Sequence, residues 1–369
     1  MHKIRTQMIN RIEIENFKSI REMNLELKPI NILIGANGAG KSNFIGFFKL
    51  LKNIYDRNLQ NYVAEEAGAD NVLYYGLKKS DFLKGVVEFN DINRYGFVLK
   101  PNSESGLYFT EEYNALYSSY VHSKNPDAWN KSDLGNGHKE SNLKNAGGTW
   151  YENVKMYLSS FKVFHFHDTS KTAKIKQTCN ISDNQFLRED GANLAAYLFA
   201  LQHTNPKDFK RIEMVIRSVA PYFERFDLKP DRINTDAIRL EWKEKGTDAY
   251  FNAKHLSDGT LRFIALTTLL LQPEAPQVII IDEPELGLHP FAINKLAGLI
   301  KKASVNTQII ISTQSVNLVD NFEPEDIITV DREDGQSVFH RQSSETLKDW
   351  LTDYSISDLW NKNVIGGRP

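Results

Sequence analysis

Apolar residues along this chain are grouped in short runs, which are separated by polar turns and amphipathic stretches. Residues 31–34 and 278–281 are short, mostly apolar runs rich in β-branched side chains, a pattern typical of parallel strands buried on both faces. Residues 43–54 and 261–266 instead repeat apolar positions with helical spacing. Together these segments predict an α/β core.

Alternating apolar and polar residues predict further strands elsewhere in the chain. They cover residues 12–14, 23–27, 84–89, 95–99, 103–109 and 161–167. Those that precede residue 110 are expected to form an antiparallel sheet beside the core.

The middle of the chain is less regular. Residues 132–148 are rich in Asn, Lys, Gly and Ser, which predicts a mobile loop or a solvent-facing insertion. Residues 191–198 and 206–219 predict helices and residues 239–242 a strand, so residues 170–230 are expected to form a small helical lobe. Heptad spacing is not sustained over several repeats anywhere, so no long coiled coil is expected.

A phosphate-binding loop (Walker A) is predicted at residues 35–42, GANGAGKS, which meet the pattern G-x-x-x-x-G-K-S in full. The predicted strand before it and the helix after it disfavour a chance Gly-rich turn, because such a loop requires this context. We expect Lys41 to reach the β- and γ-phosphates of a nucleotide and Ser42 to place its hydroxyl on Mg²⁺. The predicted phosphate-binding residues are Gly35, Asn37, Gly38, Ala39, Gly40, Lys41, Ser42 and Asn43.

Two carboxylates, Asp282 and Glu283, end the apolar run that starts at residue 278, and Pro284 stops the strand (Walker B). Ligands of open α/β sheets bind at the carboxyl ends of strands. We expect Asp282 to be an outer ligand of Mg²⁺ and Glu283 to polarise water. Taken alone, the pair is equally compatible with two solvated acids at a strand end.

A third motif, LSDGT at residues 256–260, stands just before a helical pattern. Ser257 is a good helix N-cap, and Gly259 permits close approach of a phosphate. An ordinary capped helix is the alternative. The position of the motif shortly before the acidic strand favours a signature loop in which Ser257, Asp258 and Gly259 bind nucleotide.

The chain resembles the RecF/SMC-like ABC-type ATPases. The resemblance rests on IENFKS at residues 14–19, on IGANGAGKSN, on LSDGT and on IIIDEPELGLHP. It covers both ends of the chain and is weak in the middle. It implies an α/β P-loop NTPase with an ABC-type head, in which a mixed or parallel core sheet is flanked by helices, an antiparallel β subdomain and a helical lobe.

In that family, ATP lies between two protomers. The resemblance therefore implies an ATP-sandwich homodimer, which can assemble further, and places Ser257 and Gly259 on the γ-phosphate bound to the partner. Leu288 and His289 would lie in the loop that crosses the interface. The family's loop that senses Mg²⁺ follows a strand returning from the sheet, and Asp168 is our candidate metal-sensing residue there.

One position departs from the family. The strand at residues 309–313 is followed by Gln314, where the family usually has a His that contacts the γ-phosphate. Gln can hydrogen-bond a phosphate oxygen but cannot become cationic. We therefore expect slow hydrolysis, with Glu283, Lys41 and Gln314 as the catalytic residues, although Gln314 could equally be a simple loop residue.

We expect a single head over residues 1–369. Its parts are residues 1–120 (Walker A and antiparallel sheet), 121–150 (polar insertion or mobile loop), 151–250 (helical lobe and returning strands), 251–335 (signature, Walker B and switch) and 336–369 (tail). The apolar and aromatic residues of the tail are expected either to pack on the core or to dock a partner.

Composition and charge limit the partners and the compartment. The net charge is −2, so binding of DNA or RNA would depend on local basic patches, such as Lys171, Lys174 and Lys176, for which a solvated face is the favoured interpretation. The single cysteine, Cys179, fits a reducing cytoplasm. We expect no membrane span and no signal peptide, because no apolar run is long enough.

The favoured hypothesis is a slow ATPase whose ATP-dependent dimerisation gates a nucleic acid or a partner effector protein. Small ATPases of this AAA/RecF-like group often occur in two-gene anti-phage defence modules, and DNA repair is a second setting that the resemblance implies. The alternatives are a regulatory ATP-binding scaffold with negligible turnover, an OLD-type nuclease that uses carboxylates such as Asp331, Glu333 and Asp334, and a transporter-type ATPase subunit.

Overall fold

The computed structural model describes residues 8–117 and 129–368. The strands are β1 (Ile9–Phe17), β2 (Ile20–Glu26), β3 (Ile30–Ile34), β4 (Leu83–Phe89), β5 (Asn93–Pro101), β6 (Leu107–Leu116), β7 (Asn130–Gly135), β8 (Lys162–Phe164), β9 (Cys179–Asn180), β10 (Phe223–Phe226), β11 (Ala237–Ile238), β12 (Glu241–Glu244), β13 (Tyr250–Asn252), β14 (Val278–Asp282), β15 (Gln308–Thr313), β16 (Ile327–Glu333) and β17 (Gln336–Arg341). The α-helices are α1 (Lys41–Asp56), α2 (Leu59–Glu65), α3 (Ala69–Val72), α4 (Thr149–Ser160), α5 (Leu194–Thr204), α6 (Pro206–Val219), α7 (Asp258–Leu271), α8 (Pro290–Ala303), α9 (Val316–Val319), α10 (Ser344–Leu347) and α11 (Ile356–Asn361).

The core sheet has the strand order β17-β16-β3-β15-β14-β8, and all neighbours are parallel except the β16–β17 hairpin. Its central strands β3, β14 and β15 are buried on both faces, and each face packs in a different core. Ile279 and Ile281 of β14 pack with α7 and α8, whereas Val278 and Ile280 pack with α1. The carboxyl ends of β3, β14 and β15 therefore share one edge of the sheet, where the segments that follow them meet.

The second sheet is antiparallel, with the order β2-β1-β4-β5-β6-β7, and it shares a core with α1 and α4. The predicted strands at residues 84–89 and 95–99 correspond to β4 and β5. The expected mobile loop at residues 132–148 is wrong in part: Asn130–Gly135 forms the edge strand β7, and Leu143 is fully buried. Polar residues dominate there because an edge strand exposes much of its length. Residues 121–128 of the insertion predicted at residues 121–150 lie outside the described residues.

A smaller lobe follows, in which α5 and α6 pack beside the three-stranded sheet β10-β12-β13. The helix predicted for residues 206–219 has those bounds in the structure. The helix predicted from residue 191 begins at Leu194, and the strand predicted at residues 239–242 corresponds to β12. This lobe leads directly into α7.

The tail packs on the core, which is the first of the two alternatives for it. Its first segment is β17 of the core sheet, and Leu359 and Trp360 of α11 are fully buried. Asp331 accepts hydrogen bonds from the backbone N–H of Gly367 at 2.8 Å, which ties the tail to the end of β16. Within residues 8–117 and 129–368, no helix has both the length and the apolar character required to cross a bilayer.

Candidate active site

The phosphate loop connects β3 to α1 and keeps the N-terminus of α1 close to the sheet. Gly40 has φ 124°, a left-handed conformation that favours glycine, and a Cβ at this position would collide with the hydroxyl of Ser337. Ser337 donates a hydrogen bond to the carbonyl of Ala39. The loop is therefore fixed by packing, with the helix N-terminus presented to an anion.

Ser19, the last residue of the IENFKS segment, lies directly beneath this loop. Its hydroxyl accepts a hydrogen bond from Asn43 Nδ2 at 2.6 Å and shares another with Ser337 Oγ at 2.6 Å. The start of β2 thus braces the first turn of α1. Sequence reasoning missed Ser337, because nothing local to the β16–β17 hairpin signals a contact with the phosphate loop.

Lys41 is buried at the base of the loop. Its ammonium donates to the carbonyl oxygens of Gly35 and Ala36, the latter at 3.0 Å. Burial lowers the pKa of Lys41, and the carboxylates of Glu283 and Asp282 act in the opposite direction. The ammonium therefore lies within electrostatic reach of the acidic strand end, as expected of a lysine that contacts phosphates there.

One pocket joins the phosphate loop to the acidic strand end. Its lining residues are Ala36, Asn37, Gly38, Gly40, Lys41, Ser42, Asn43, Asp282, Glu283, Ser312 and Gln314. Most of the predicted phosphate-binding residues and the catalytic residues Lys41, Glu283 and Gln314 are therefore brought together. Gly35 and Ala39 support the loop from behind through their backbone oxygens.

The acidic end of β14 is held by the neighbouring strand β15. Ser312 Oγ donates a hydrogen bond to Asp282 Oδ1, and the backbone N–H of Glu283 donates to the carbonyl of Ser312 at 2.9 Å. Glu283 has φ 40°, which costs of the order of 1–3 kcal/mol for a residue other than glycine and is typical of active sites. Gln314 Nε2 donates to Glu283 Oε1 at 2.5 Å, so the two predicted catalytic side chains are in direct contact.

Glu285 is a site residue that sequence reasoning missed. It is 8% exposed, and its Oε1 accepts from Thr313 Oγ1 at 2.5 Å and from the backbone N–H of Gln314 at 3.1 Å. Burial raises the pKa of Glu285, whereas the hydrogen bond from Thr313 acts in the opposite direction. The third acid of the segment DEPE was the available signal, although its partners lie on or next to another strand.

Asp168 does not line the pocket. It is exposed, and its Oδ1 accepts from the backbone N–H of Ser170 at 3.0 Å. The preceding residue, His167, is closer to the acidic strand end: burial lowers its pKa, while the charges of Asp282 and Glu283 act to raise it. The strand pairing explains the difference, because Phe164 of β8 aligns with Ile281 and so brings the following residues alongside Asp282.

The signature segment lies outside this pocket. Ser257 caps α7 by accepting from the backbone N–H of Thr260 at 3.1 Å, and exposed Asp258 pairs with Lys176 at 2.8 Å. A Cβ at Gly259 would collide with the carbonyl of Gly287, so the glycine allows α7 to approach the loop that follows the acidic strand. The segment is thus a capped helix start and remains available to a partner.

Arg262, one turn further along α7, connects the signature helix to the site. Its guanidinium donates to the carbonyls of Phe166 at 2.9 Å, of His167 at 3.0 Å and of Leu286. Arg262 is buried, and its sequence position within an apolar helix face was the signal that could have identified it. Leu288 and His289 follow, and His289 Nδ1 caps α8 by accepting from the backbone N–H of Phe291 at 3.3 Å.

Among residues 8–117 and 129–368, no group of three or more His, Cys, Asp or Glu residues is arranged to hold a metal ion. Asp331, one of the acids considered for that role, instead holds the tail through Gly367. For Mg²⁺ bound with a nucleotide, the oxygen donors of Ser42 and Asp282 in the pocket are of the type that this ion prefers.

Comparison with known proteins gives a family and a fold. Residues 30–320 match a family model described as "AAA domain, putative AbiEii toxin, Type IV TA system". An Smc head bound to the C-winged helix domain of ScpA has a TM-score of 0.61 at 14% identity and covers 92% of this chain and 99% of that chain. An Smc head with an extended coiled coil, bound to the C-terminal domain of ScpA derived from Pyrococcus furiosus, has a TM-score of 0.58 at 15% identity and covers 94% and 99%.

Curated relatives match locally. ABC transporter A family member 11 of Dictyostelium discoideum is 37% identical over 109 residues, which are 30% of this chain and 12% of that protein. ATP-binding cassette sub-family A member 6 of Homo sapiens is 35% identical over 68 residues, which are 18% of this chain and 4% of that protein. The chain therefore matches only a small part of the length of these relatives.

The predicted fold class, an α/β P-loop NTPase with an ABC-type head, is confirmed by the core sheet, the antiparallel sheet and the likeness to Smc heads. The family match spans the phosphate loop, the signature and the acidic strand. The chain belongs to the family of AAA domains described above, and its fold is similar to that of Smc heads.

Proposed function

We propose that this protein is an ATP-driven switch: two copies close on two ATP molecules, hydrolyse them slowly and reopen. The observation that supports this is the separation of two half-sites in one chain. The phosphate loop and the acidic strand end line one pocket, whereas Ser257 and Asp258 are exposed outside it. A second copy would bring its signature helix N-terminus to the γ-phosphate and complete the site, as the isologous symmetry of a dimer allows.

Within each site, the roles follow from the geometry. The loop backbone would hold the phosphates, and Lys41 would move from the carbonyls of Gly35 and Ala36 to the β- and γ-phosphates. Ser42 and Asp282 would hold Mg²⁺, which when bound neutralises charge on the phosphates. Glu283 would orient the attacking water, since its carboxylate lines the same pocket.

Slow turnover is part of the proposal. The amide of Gln314 donates to Glu283 at 2.5 Å, so in this state the water-orienting carboxylate is occupied by a neutral neighbour. Hydrolysis would require that contact to be exchanged for one with water or with the γ-phosphate. The same contact favours a second candidate function, in which ATP is a regulatory ligand of a scaffold and turnover is negligible.

We further propose that the switch gates a partner, in a cytoplasmic setting that fits the single cysteine. The family description names a toxin of a type IV TA system, and the similar Smc heads are bound to ScpA domains. These names support a partner effector and a role in defence, whereas a nucleic acid partner rests on basic side chains such as Lys171 and Lys174, which are exposed.

A complementation experiment tests the shared site. Lys41→Ala removes the phosphate contact, and Ser257→Arg blocks the signature, so each variant alone should lose ATPase activity. If the site is shared, a mixture of the two contains mixed dimers with one intact site, and activity should return to about a quarter of the wild-type value. The double variant Lys41→Ala/Ser257→Arg mixed with either single variant is the matched control, because no pairing in that mixture contains an intact site and it should stay inactive.

Two outcomes would count against the proposal. If Ser257→Arg alone hydrolyses ATP at the wild-type rate, the signature takes no part in the site. If both single variants are inactive and the mixture stays inactive although mixed dimers form, the site is not shared between protomers. The rate of ATP hydrolysis by the wild type decides between the two candidate functions. A rate measurably above that of Lys41→Ala indicates the ATPase, and an equal rate indicates the regulatory scaffold.

A further inference from the structure

Glu285 lies behind the pocket wall, between the acidic strand end and the segment that follows β15. Its carboxylate reaches Thr313 and Gln314 through one oxygen, Oε1. The other oxygen, Oε2, is buried and has no hydrogen-bond partner in the described part of the chain. A buried carboxylate that uses only one of its oxygens is costly, so it calls for a functional explanation.

The hydrogen bonds of Glu285 determine where the switch segment begins. Thr313 Oγ1, which donates to Glu285, also accepts from the backbone N–H of Ser315 at 3.0 Å, and Ser315 in turn caps α9. The backbone N–H of Gln314 is held from the other side by Glu285. Both flanks of Gln314 are thus fixed, although its side chain is not packed in the core.

From this backbone position, the side chain of Gln314 points toward Glu283. Its amide reaches Glu283 Oε1 at 2.5 Å and lines the nucleotide pocket. Glu283 itself has a left-handed backbone conformation, in which its N–H donates to the carbonyl of Ser312 at 2.9 Å and its carbonyl accepts from the N–H of Leu286 at 3.4 Å. A small shift of the Gln314 backbone would therefore move the amide relative to the water-orienting carboxylate, and misplacement by about 1 Å can cost about a hundredfold in rate.

We propose that Glu285 is a positioning residue for hydrolysis: it anchors the backbone of Gln314 so that the Gln314 amide, when it leaves Glu283, is placed to contact the γ-phosphate. The inference rests on the proposed function, because it assigns a role in ATP hydrolysis. The inference goes beyond the proposed function by adding a residue that touches neither nucleotide nor metal. Glu285 links the loop after β14 to the segment after β15.

The test compares Glu285→Ala with Glu285→Gln. Gln retains an oxygen that can accept from Thr313 and from the Gln314 backbone, whereas Ala retains nothing. We expect Glu285→Ala to lower kcat about tenfold with KM for ATP changed less than about twofold, and Glu285→Gln to keep most of kcat. Glu112→Gln, the same chemical change at a buried carboxylate of the antiparallel sheet, is the matched control and should leave kcat unchanged.

A second readout does not depend on hydrolysis. Amide hydrogen exchange, measured by mass spectrometry on peptides that cover residues 310–316, should be about tenfold faster in Glu285→Ala than in wild type, because the Gln314 N–H loses its acceptor. Peptides from β4 and β5 report on global stability and should be unchanged. In Glu285→Gln, the exchange of residues 310–316 should stay close to that of wild type.

The proposal requires both effects. Unchanged exchange in Glu285→Ala would show that Glu285 does not hold Gln314, and faster exchange with wild-type kcat would show that the anchor has no bearing on hydrolysis. A fall in kcat that Glu285→Gln shares fully, together with loss of stability across the protein, would indicate a purely structural residue. If wild type itself fails to hydrolyse ATP, the proposed function fails, and the exchange readout still decides whether Glu285 anchors Gln314.

Discussion

Two buried glutamates each hold a neighbouring segment by hydrogen bonds, but they differ in how many of their carboxylate oxygens have a partner. Glu112 lies in the antiparallel sheet, and Glu285 lies at the catalytic edge of the core sheet. Glu112 is fully buried, and both of its oxygens are used: Oε1 accepts from Tyr95 OH at 2.7 Å and from Ser141 Oγ at 2.5 Å. Oε2 accepts from the backbone N–H of Asn142 at 3.0 Å and contacts His138 Nε2 at 2.8 Å. Glu285 uses a single oxygen.

This difference in hydrogen bonding distinguishes the structural cluster around Glu112 from the candidate active site around Glu285. The Glu112 cluster holds the loop that follows β7 against β6. No step of the proposed function requires that loop to move. Burial and the charge of Glu112 raise the pKa of Tyr95 well above its usual range, so the tyrosine remains a donor. A fully satisfied buried network rigidifies a fold, whereas a half-satisfied one is tolerated mainly where function requires it. By this criterion, the surroundings of Glu285 are better able to rearrange than the Glu112 cluster.

The largest expected effect is the loss of stability when the Glu112 cluster is removed. Glu112→Ala should lower the free energy of unfolding by about 3–5 kcal/mol, because it leaves several buried donors without an acceptor. ATP affinity of the remaining folded protein should not change, since the cluster contains none of the pocket residues. Chemical denaturation together with nucleotide binding measures both quantities.

The exposed neighbour Glu111 provides the control for that experiment. Its ion pair with Lys131 spans 3.6 Å, and its side chain is 49% exposed, so Glu111→Ala should cost less than about 0.5 kcal/mol. Equal losses in the two variants would show that the buried cluster does not stabilise the fold.

A smaller effect is expected from packing at the catalytic edge. Gly259→Ala should destabilise the protein by about 1–3 kcal/mol, because the new methyl group meets the backbone of Gly287. Gly298→Ala is the matched control within α8: its Cβ would enter open space, and a gain of about 0.5–1 kcal/mol is expected there. Thermal unfolding of both variants measures the contrast, and a tolerated Gly259→Ala would mean that α7 does not pack closely on the loop after β14.

The smallest effect is a change in the pH dependence of stability. Burial raises the pKa of Glu285 above its ordinary value of 4.5, so the folded protein retains a proton that the unfolded chain loses. The contribution of the Glu285 carboxyl to the stability of the wild type is therefore present below pH 4.5 and is lost as the pH rises through the raised pKa of the folded protein. Glu285→Gln cannot ionise, so its stability relative to wild type should increase from acidic to neutral pH. A stability difference that stays constant across this range contradicts a raised pKa.

The parts of the site that can be predicted from sequence are those whose chemistry is contiguous in the chain. The phosphate loop is a stretch of eight residues with Gly, Gly, Lys and Ser at fixed positions, and the acidic pair directly follows an apolar strand, so both are recognisable from the order of amino acids alone. The helix α6 is predicted with its bounds, because Pro206 marks its first turn.

The parts that sequence reasoning missed depend on pairing between distant segments. Ser337 reaches the phosphate loop across 298 residues of sequence, and Glu285 finds its partners on the strand β15. The register of β8 against β14, which no local pattern specifies, decides that His167 rather than Asp168 lies near the acidic end. Composition also misled at β7, where polar residues occupy an exposed edge strand.

The central claim is that ATP brings two copies together through sites that each chain only half provides. The most direct measurement is the mass of Glu283→Gln in solution by light scattering, with and without Mg-ATP. If hydrolysis is blocked while binding is retained, this variant should change from a monomer of 42.3 kDa to a stable dimer only when Mg-ATP is present, and Lys41→Ala should not change. A mass of Glu283→Gln that stays the same with saturating Mg-ATP would contradict the ATP-driven switch.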